Sequence, residues 1–118
     1  MFVVTLKTID MNNYQSCIEA CMDCIAACKH CASSCLQEKD VTAMAACIRT
    51  DIECAAICEA AATLMSMDSR FAHETCRLCA DICNACAEEC EKHSMDHCKK
   101  CAAACRYCAE ECIGMVAA

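Results

Sequence analysis

Residues 17–35 read CIEACMDCIAACKHCASSC, and the steps between their cysteines, alternately four and three, decide the fold. Cys17, Cys21, Cys24, Cys28, Cys31 and Cys35 take the a and d places of a heptad, where a helix packed in a bundle normally carries Leu or Ile. The pattern returns twice. Residues 76–90, CRLCADICNACAEEC, carry Cys76, Cys79, Cys83, Cys86 and Cys90, and residues 98–112, CKKCAAACRYCAEEC, carry Cys98, Cys101, Cys105, Cys108 and Cys112, so the two stretches read as an internal repeat. Between them Cys47, Cys54 and Cys58 keep the same register, with Met44, Asp51, Ala61 and Met65 in the remaining seam places. All 19 thiols are therefore expected on four stripes facing one axis.

The rest of the chain agrees with helix. Its 118 residues include no Pro and one Gly, and its size suits one domain, residues 1–118, with a single core. Punctuation predicts helices at about 13–38, 41–64, 69–92 and 95–113. Asn12 with Gln15 resembles a capping box, Asp40 can cap the second helix, and Ser66-Met67-Asp68 breaks it and caps the third. Ser94 can cap the fourth, which is expected to end with Gly114 as its C′ residue. Connections of two to four residues require antiparallel neighbours. The expected fold is all-α, an antiparallel up-down-up-down four-helix bundle with a Cys-lined core.

Composition excludes several function classes. A net charge of −7 leaves no basic patch for nucleic acid, and Lys99-Lys100 reads as a solvated face. No stretch approaches the roughly 18 uncharged apolar residues of a membrane span. The N-terminal apolar run ends at Leu6 with no basic region before it and no small-residue cleavage site after it. A cytoplasmic location with reduced thiols is expected, and a secreted disulfide framework is the less favoured structural alternative. No nucleophile–base pair or phosphate loop is visible, so catalysis is not expected.

One or two buried Cys would be small hydrophobes, but 19 in register cannot fill a bundle at native density. A metal-free core would be loose or would draw the helices together. Positions three or four apart on a helix hold Cβ atoms about 5–6 Å apart, too far for a relaxed disulfide, whose Cβ atoms lie about 3.5–4.5 Å apart. The same spacing suits a metal bridged between two sulfurs. Thiolates select soft ions such as copper(I), and about one monovalent ion per bridging thiolate neutralises a buried sulfur array. Zinc wants four converging ligands in a closed tetrahedron and is the chemical rival, in a zinc or cadmium buffer of metallothionein-like role. The loop pattern of bacterial iron–sulfur proteins is absent. Six CxxC motifs recur along helices, unlike a thioredoxin motif that opens one.

These in-register CxxC helices resemble the cytosolic branch of the bacterial copper storage proteins, four-helix-bundle copper-binding proteins, over about Tyr14 to Ile113. The resemblance implies a bundle that assembles into a homotetramer and holds several Cu(I) ions per chain, mainly through Cys.

Other side chains are candidate ligands. One end of the bundle is expected to gather Cys35, Met44, Cys47, His93, Met95, His97 and Cys98, with His93 and His97 at i,i+4 as candidate ligands of a port. The other is expected to gather Met11, Tyr14, Met65, Met67, His73, Cys76, Cys112 and Met115, and either cluster can serve as the entry port. His30 and His73 fit the surface better. Asp51, the one carboxylate on a seam position, either has a metal or basic partner or is rotated into solvent. A second stripe of Ile18, Met22, Ile25, Leu36, Ile48 and Ile52 either seals the bundle or meets other subunits.

Overall fold

The computed structural model describes the backbone of residues 2–117 and the side chains of residues 14–116. Four helices follow one another: α1 (Phe2–Cys35), α2 (Ala45–Ser66), α3 (Ala72–Cys90) and α4 (Asp96–Ala117), with a 3-10 turn at Thr42–Met44 before α2. The described residues include no strand. Each helix packs against the two neighbours expected of a square up-down-up-down bundle: α1 on α2 and α4, and α3 on α2 and α4.

Sulfur pairs set direction and register. Between α1 and α4 the facing Sγ atoms are Cys17–Cys112 at 3.6 Å, Cys24–Cys105 at 3.7 Å and Cys31–Cys98 at 3.9 Å. Between α2 and α3 they are Cys47–Cys90 at 3.7 Å, Cys54–Cys83 at 3.4 Å and Cys58–Cys79 at 3.7 Å. Numbers climb on one helix as they fall on its partner, so both pairs are antiparallel. Alanines flank the seam, with Ala20, Ala55, Ala62, Ala72, Ala80, Ala87, Ala102 and Ala109 all buried. Their small side chains let the helices close until sulfur touches sulfur. The interior is therefore drawn together rather than loose.

The helix ends differ from the sequence reading, each for a local reason. α1 runs continuously through Asn12 from Phe2, because no Pro or Gly interrupts residues 2–13; the helix does not start at 13, and the side chain of the expected Asn12 cap lies outside the described residues. Its last turn tightens after Cys35, where Gln37 N–H donates to Ser34 O and Glu38 N–H to Cys35 O, so α1 stops short of 38. Asp40 does cap, but its Oδ1 accepts from Ala43 N–H in the 3-10 turn, and α2 begins only at Ala45. The connections are accordingly longer than two to four residues.

α2 ends in a Schellman motif. Ser69 N–H reaches Leu64 O at 2.9 Å, Asp68 N–H reaches Met65 O at 3.1 Å, and Asp68 takes the left-handed position at φ 51°. α3 then starts at Ala72 rather than 69, after a turn in which Ser69 Oγ accepts from Phe71 N–H. At the start of α4 the carbonyl of Met95, one residue beyond Ser94, takes the N–H groups of Cys98 and Lys99. Gly114 is not a C′ residue: the helix passes through it without a positive φ and ends at Ala117.

Two stability tests follow. A Cβ at Gly114 would meet nothing within 4 Å, so Gly114→Ala should stabilise the metal-free protein by up to about 1 kcal/mol in a thermal or denaturant melt. At Asp68 the left-handed backbone costs an L-residue about 1–2 kcal/mol, part of which Gly loses again to unfolded-chain entropy. Asp68→Gly should gain about 0.5 kcal/mol, and a loss of stability in the same melt would refute this account of the turn.

Candidate metal centre

All 19 cysteines are free and buried, each with none of its surface exposed. Their sulfurs form one ladder rather than separate clusters. Within a helix, Cys24–Cys28, Cys31–Cys35, Cys79–Cys83 and Cys101–Cys105 lie 3.8–3.9 Å apart. Across the axis, Cys54–Cys105 and Cys58–Cys108 are both at 3.8 Å and Cys47–Cys98 at 4.0 Å. Metal–sulfur bonds of about 2.3 Å set three sulfurs about 4.0 Å apart in a trigonal plane and four about 3.8 Å apart in a tetrahedron. The ladder is thus within a few tenths of an ångström of ligand spacing before any ion enters.

Sets of four ligand atoms lie within 4.8 Å of one another at Cys21/Cys79/Cys108/Cys112, Cys24/Cys58/Cys83/Cys108, Cys24/Cys28/Cys54/Cys105 and Cys28/Cys86/Cys101/Cys105. Cys24, Cys28, Cys105 and Cys108 each belong to two of these sets. Such overlap leaves no closed tetrahedron of four unshared thiolates for every set. It suits ions that share bridging sulfurs.

Asp51 is fully buried, so the alternative of rotation into solvent does not hold. Its Oδ1 accepts from the thiols of Cys86 and Cys101, both at 3.3 Å, and of Cys90 at 3.6 Å. Cys47 Sγ lies 4.0 Å from Oδ2. No basic side chain is among these partners. Burial first, then repulsion from charge on Cys101, pushes the carboxyl up to about 12 from its ordinary 3.8. Asp51 is therefore a neutral acid set into the sulfur ladder at neutral pH.

A different arrangement stands at the α1–α4 end. His97 Nδ1 points at Cys98, Cys31 and Cys35 Sγ, at 3.5, 3.6 and 3.9 Å, and Cys31, Cys35, His97 and Cys98 form a further four-ligand set. On its outer side His97 Nε2 meets Glu38 Oε2 at 3.0 Å. Burial lowers the imidazole's proton affinity, but the Cys31 sulfur and the Glu38 carboxylate outweigh it and the net shift is upward. Burial, then charge on Cys31, raises the Cys35 and Cys98 thiols above their ordinary value. His93 turns to Glu89 Oε2 at 2.9 Å along its own helix end. Met44 is buried at this end and Met95 packs on the core.

At the other end Met65 is fully buried, and Tyr14, Met115 and Val116 pack partly buried on the core. Met67 is exposed there, His73 lies on the surface as its sequence reading favours, and the side chain of Met11 lies outside the described residues. His30 is exposed, with Ser34 Oγ at 3.5 Å from Nε2. Of the second stripe, Ile18, Ile25 and Ile48 pack against the core, whereas Met22, Leu36 and Ile52 are exposed. Glu89 and Glu111 take His93 and Ser16 as partners. Sequence reasoning missed Glu38. Its signal was the register, because three residues after Cys35 is the next seam position.

The comparisons with known proteins agree with this geometry. A relative from Bacillus subtilis (strain 168), described as an uncharacterized cysteine-rich protein, YhjQ, is 53% identical over 83 residues, 70% of this chain and 77% of its own. The Cu(I)-bound copper storage protein BsCsp3 superposes with a TM-score of 0.85 at 52% identity, over 88% of this chain and 98% of that one. A cytosolic copper storage protein from Streptomyces lividans, solved during copper loading with five coppers, superposes with a TM-score of 0.89 at 37% identity, over 94% of this chain and 98% of that one. The family model described as copper storage protein matches residues 10–117. With nearly its whole length matched, and a core of thiols in the register such a bundle needs, the chain belongs to the copper storage protein family.

Proposed function

We propose that this chain stores many copper(I) ions within the cytosol, on thiolates inside its own bundle, without catalysis. The observation that carries the reading is the axial array of 19 buried sulfurs, most of them with another sulfur 3.4–4.0 Å away across or along the helices. Copper(I) accepts two or three thiolates, and its single charge balances one thiolate per ion when sulfurs bridge. Zinc is not favoured, because the four-sulfur sets overlap and a separate tetrahedron for each ion cannot be drawn. The cytosolic placement follows the Streptomyces lividans relative; no helix among the described residues is long and apolar enough to cross a membrane.

Ions enter at the His97 end and move inward from sulfur to sulfur. This direction is supported by the half-buried imidazoles of His97 and His93 at one end and the packed Tyr14, Met65 and Met115 at the other. His97 with Cys31, Cys35 and Cys98 is the first inner station, His93 an outer one, and Asp51 a position in the interior that offers oxygen among sulfurs. Exposed Met22, Ile52, Leu78, Tyr107 and Ile113 leave apolar surface for assembly into a tetramer, which the family resemblance implies.

Each thiol must lose its proton to bind, and the raised Cys35 and Cys98 are protonated at neutral pH. Anaerobic titration of reduced protein should therefore bind many equivalents of copper(I) before a competing chelator takes any. In weakly buffered solution it should release about one proton per ion, and binding should weaken as pH falls. Saturation at one or two ions would reject storage.

Asp51 gives a second test, on the metal-free protein. Its folded-state proton affinity is raised, so the folded chain keeps a proton that the unfolded chain releases above about pH 3.8. That stabilisation is complete below the unfolded value and is lost as pH rises toward 12. The melting temperature of the wild type should thus fall relative to Asp51→Asn as pH rises from about 5 to 8, and parallel curves would contradict a buried neutral acid.

A further inference from the structure

The two histidines of the α1–α4 end both hold a carboxylate on Nε2, but they are not equivalent. Glu89 binds His93 from one turn away on α3 and also takes Lys92 at 3.3 Å. Glu38 reaches His97 from a different element, the unwound end of α1, across 59 positions of sequence. Its own backbone is pinned by its N–H to Cys35 O at 3.2 Å, beneath the tightened turn in which Gln37 N–H meets Ser34 O. The ring it holds is also the one whose other nitrogen lies within 3.9 Å of three sulfurs.

We propose that Glu38 is a positioning residue for the copper(I) port: by accepting Nε2–H of His97 it fixes the ring so that Nδ1 is the nitrogen presented to Cys31, Cys35 and Cys98. The argument is one of donor and acceptor roles. An ionised carboxylate only accepts hydrogen bonds, and a neutral imidazole donates from one nitrogen and accepts at the other. With Nε2–H committed to Glu38, the lone pair is on Nδ1, 3.5–3.9 Å from the sulfurs. The opposite tautomer would set a lone pair against the carboxylate and an N–H toward the arriving cation. Carboxylates behind metal-binding imidazoles play this part in general, and losing one typically costs about 10–100-fold in metal affinity or activity.

The end of α1 makes this possible. Glu38 stands three residues after Cys35, on the seam register. A helix continued to that point would add another rung to the ladder. Unwinding after Cys35 instead sends the carboxylate outward to the first turn of α4, where His97 begins.

The inference rests on the storage reading, and its test separates the two. In the metal-free protein labelled with nitrogen-15, two-bond correlations of the imidazole nitrogens report the tautomer without copper; His97→Ala identifies the resonances. The wild type and Glu38→Gln, which keeps an acceptor, should show His97 protonated on Nε2. Glu38→Ala should show a mixture of tautomers. In stopped-flow uptake of copper(I) from a chromophoric chelator complex, Glu38→Ala should be slowed by about tenfold or more, and Glu38→Gln should recover most of that loss. On a His97→Ala background, Glu38→Ala should have no further effect, which a general loosening of the α1 end would not reproduce.

An unchanged tautomer with unchanged uptake in Glu38→Ala would overturn the proposal, as would a further tenfold slowing on the His97→Ala background. If the wild type took up no copper(I), storage would fail, and the tautomer spectra alone would decide the role of Glu38.

Discussion

Everything in this fold depends on the contact of sulfur with sulfur along one axis. A thiol is shorter than the Leu or Ile it replaces, so four helices can meet at their seams only by approaching closely, and closeness demands small flanking residues. Ala20, Ala55, Ala80, Ala87, Ala102 and Ala109 meet that demand. Among the described residues the interior holds no branched aliphatic or aromatic side chain, and Met44 and Met65 are buried toward its two ends. Larger apolar side chains such as Ile18, Ile25, Ile48 and Ile57 pack from the outside as partly buried supports. Stability and cargo capacity thus come from the same atoms, and a binding ion that bridges two helices also ties them together.

The outer surface is held by pairs that span helices. Arg106 reaches Glu91 with two hydrogen bonds, at 2.8 and 3.1 Å, and Asn84 with a third at 3.0 Å, which clamps α4 on α3. Lys29 and Glu59 link α1 to α2 at 3.3 Å. Exposed pairs of this kind contribute modestly to stability. Among the described residues, these pairs hold their Lys and Arg side chains on the outer surface rather than on the axis.

The bundle and its lining were legible in the sequence because residue type and period said the same thing. Cys17 through Cys35 could not point anywhere but inward once the heptad was accepted, and the three cysteines of α2 fell on the same rule. Asp51 was found by register alone, although its state was not; a carboxyl without a basic partner is neutral because it is buried and set among sulfurs, which no local pattern records. The helix ends were read less well. Asp68 in the left-handed position does what a glycine usually does, while Gly114 sits inside helix, so the usual marker pointed to the wrong place. Glu38 escaped notice for a related reason: a glutamate in a turn reads as solvated until the turn is seen to fold it onto another helix.

Met65 is fully buried at the end where Tyr14, Met115 and Val116 pack on the core. With that end shut and entry at His97, as proposed above, the tube would behave as a stack: what goes in first would come out last. Ions at the deepest rungs would then leave only after those above them had moved, and the readily exchangeable part of the store would be its top layer. The remainder would form a reserve whose release is set by the length of the queue as well as by the strength of each bond.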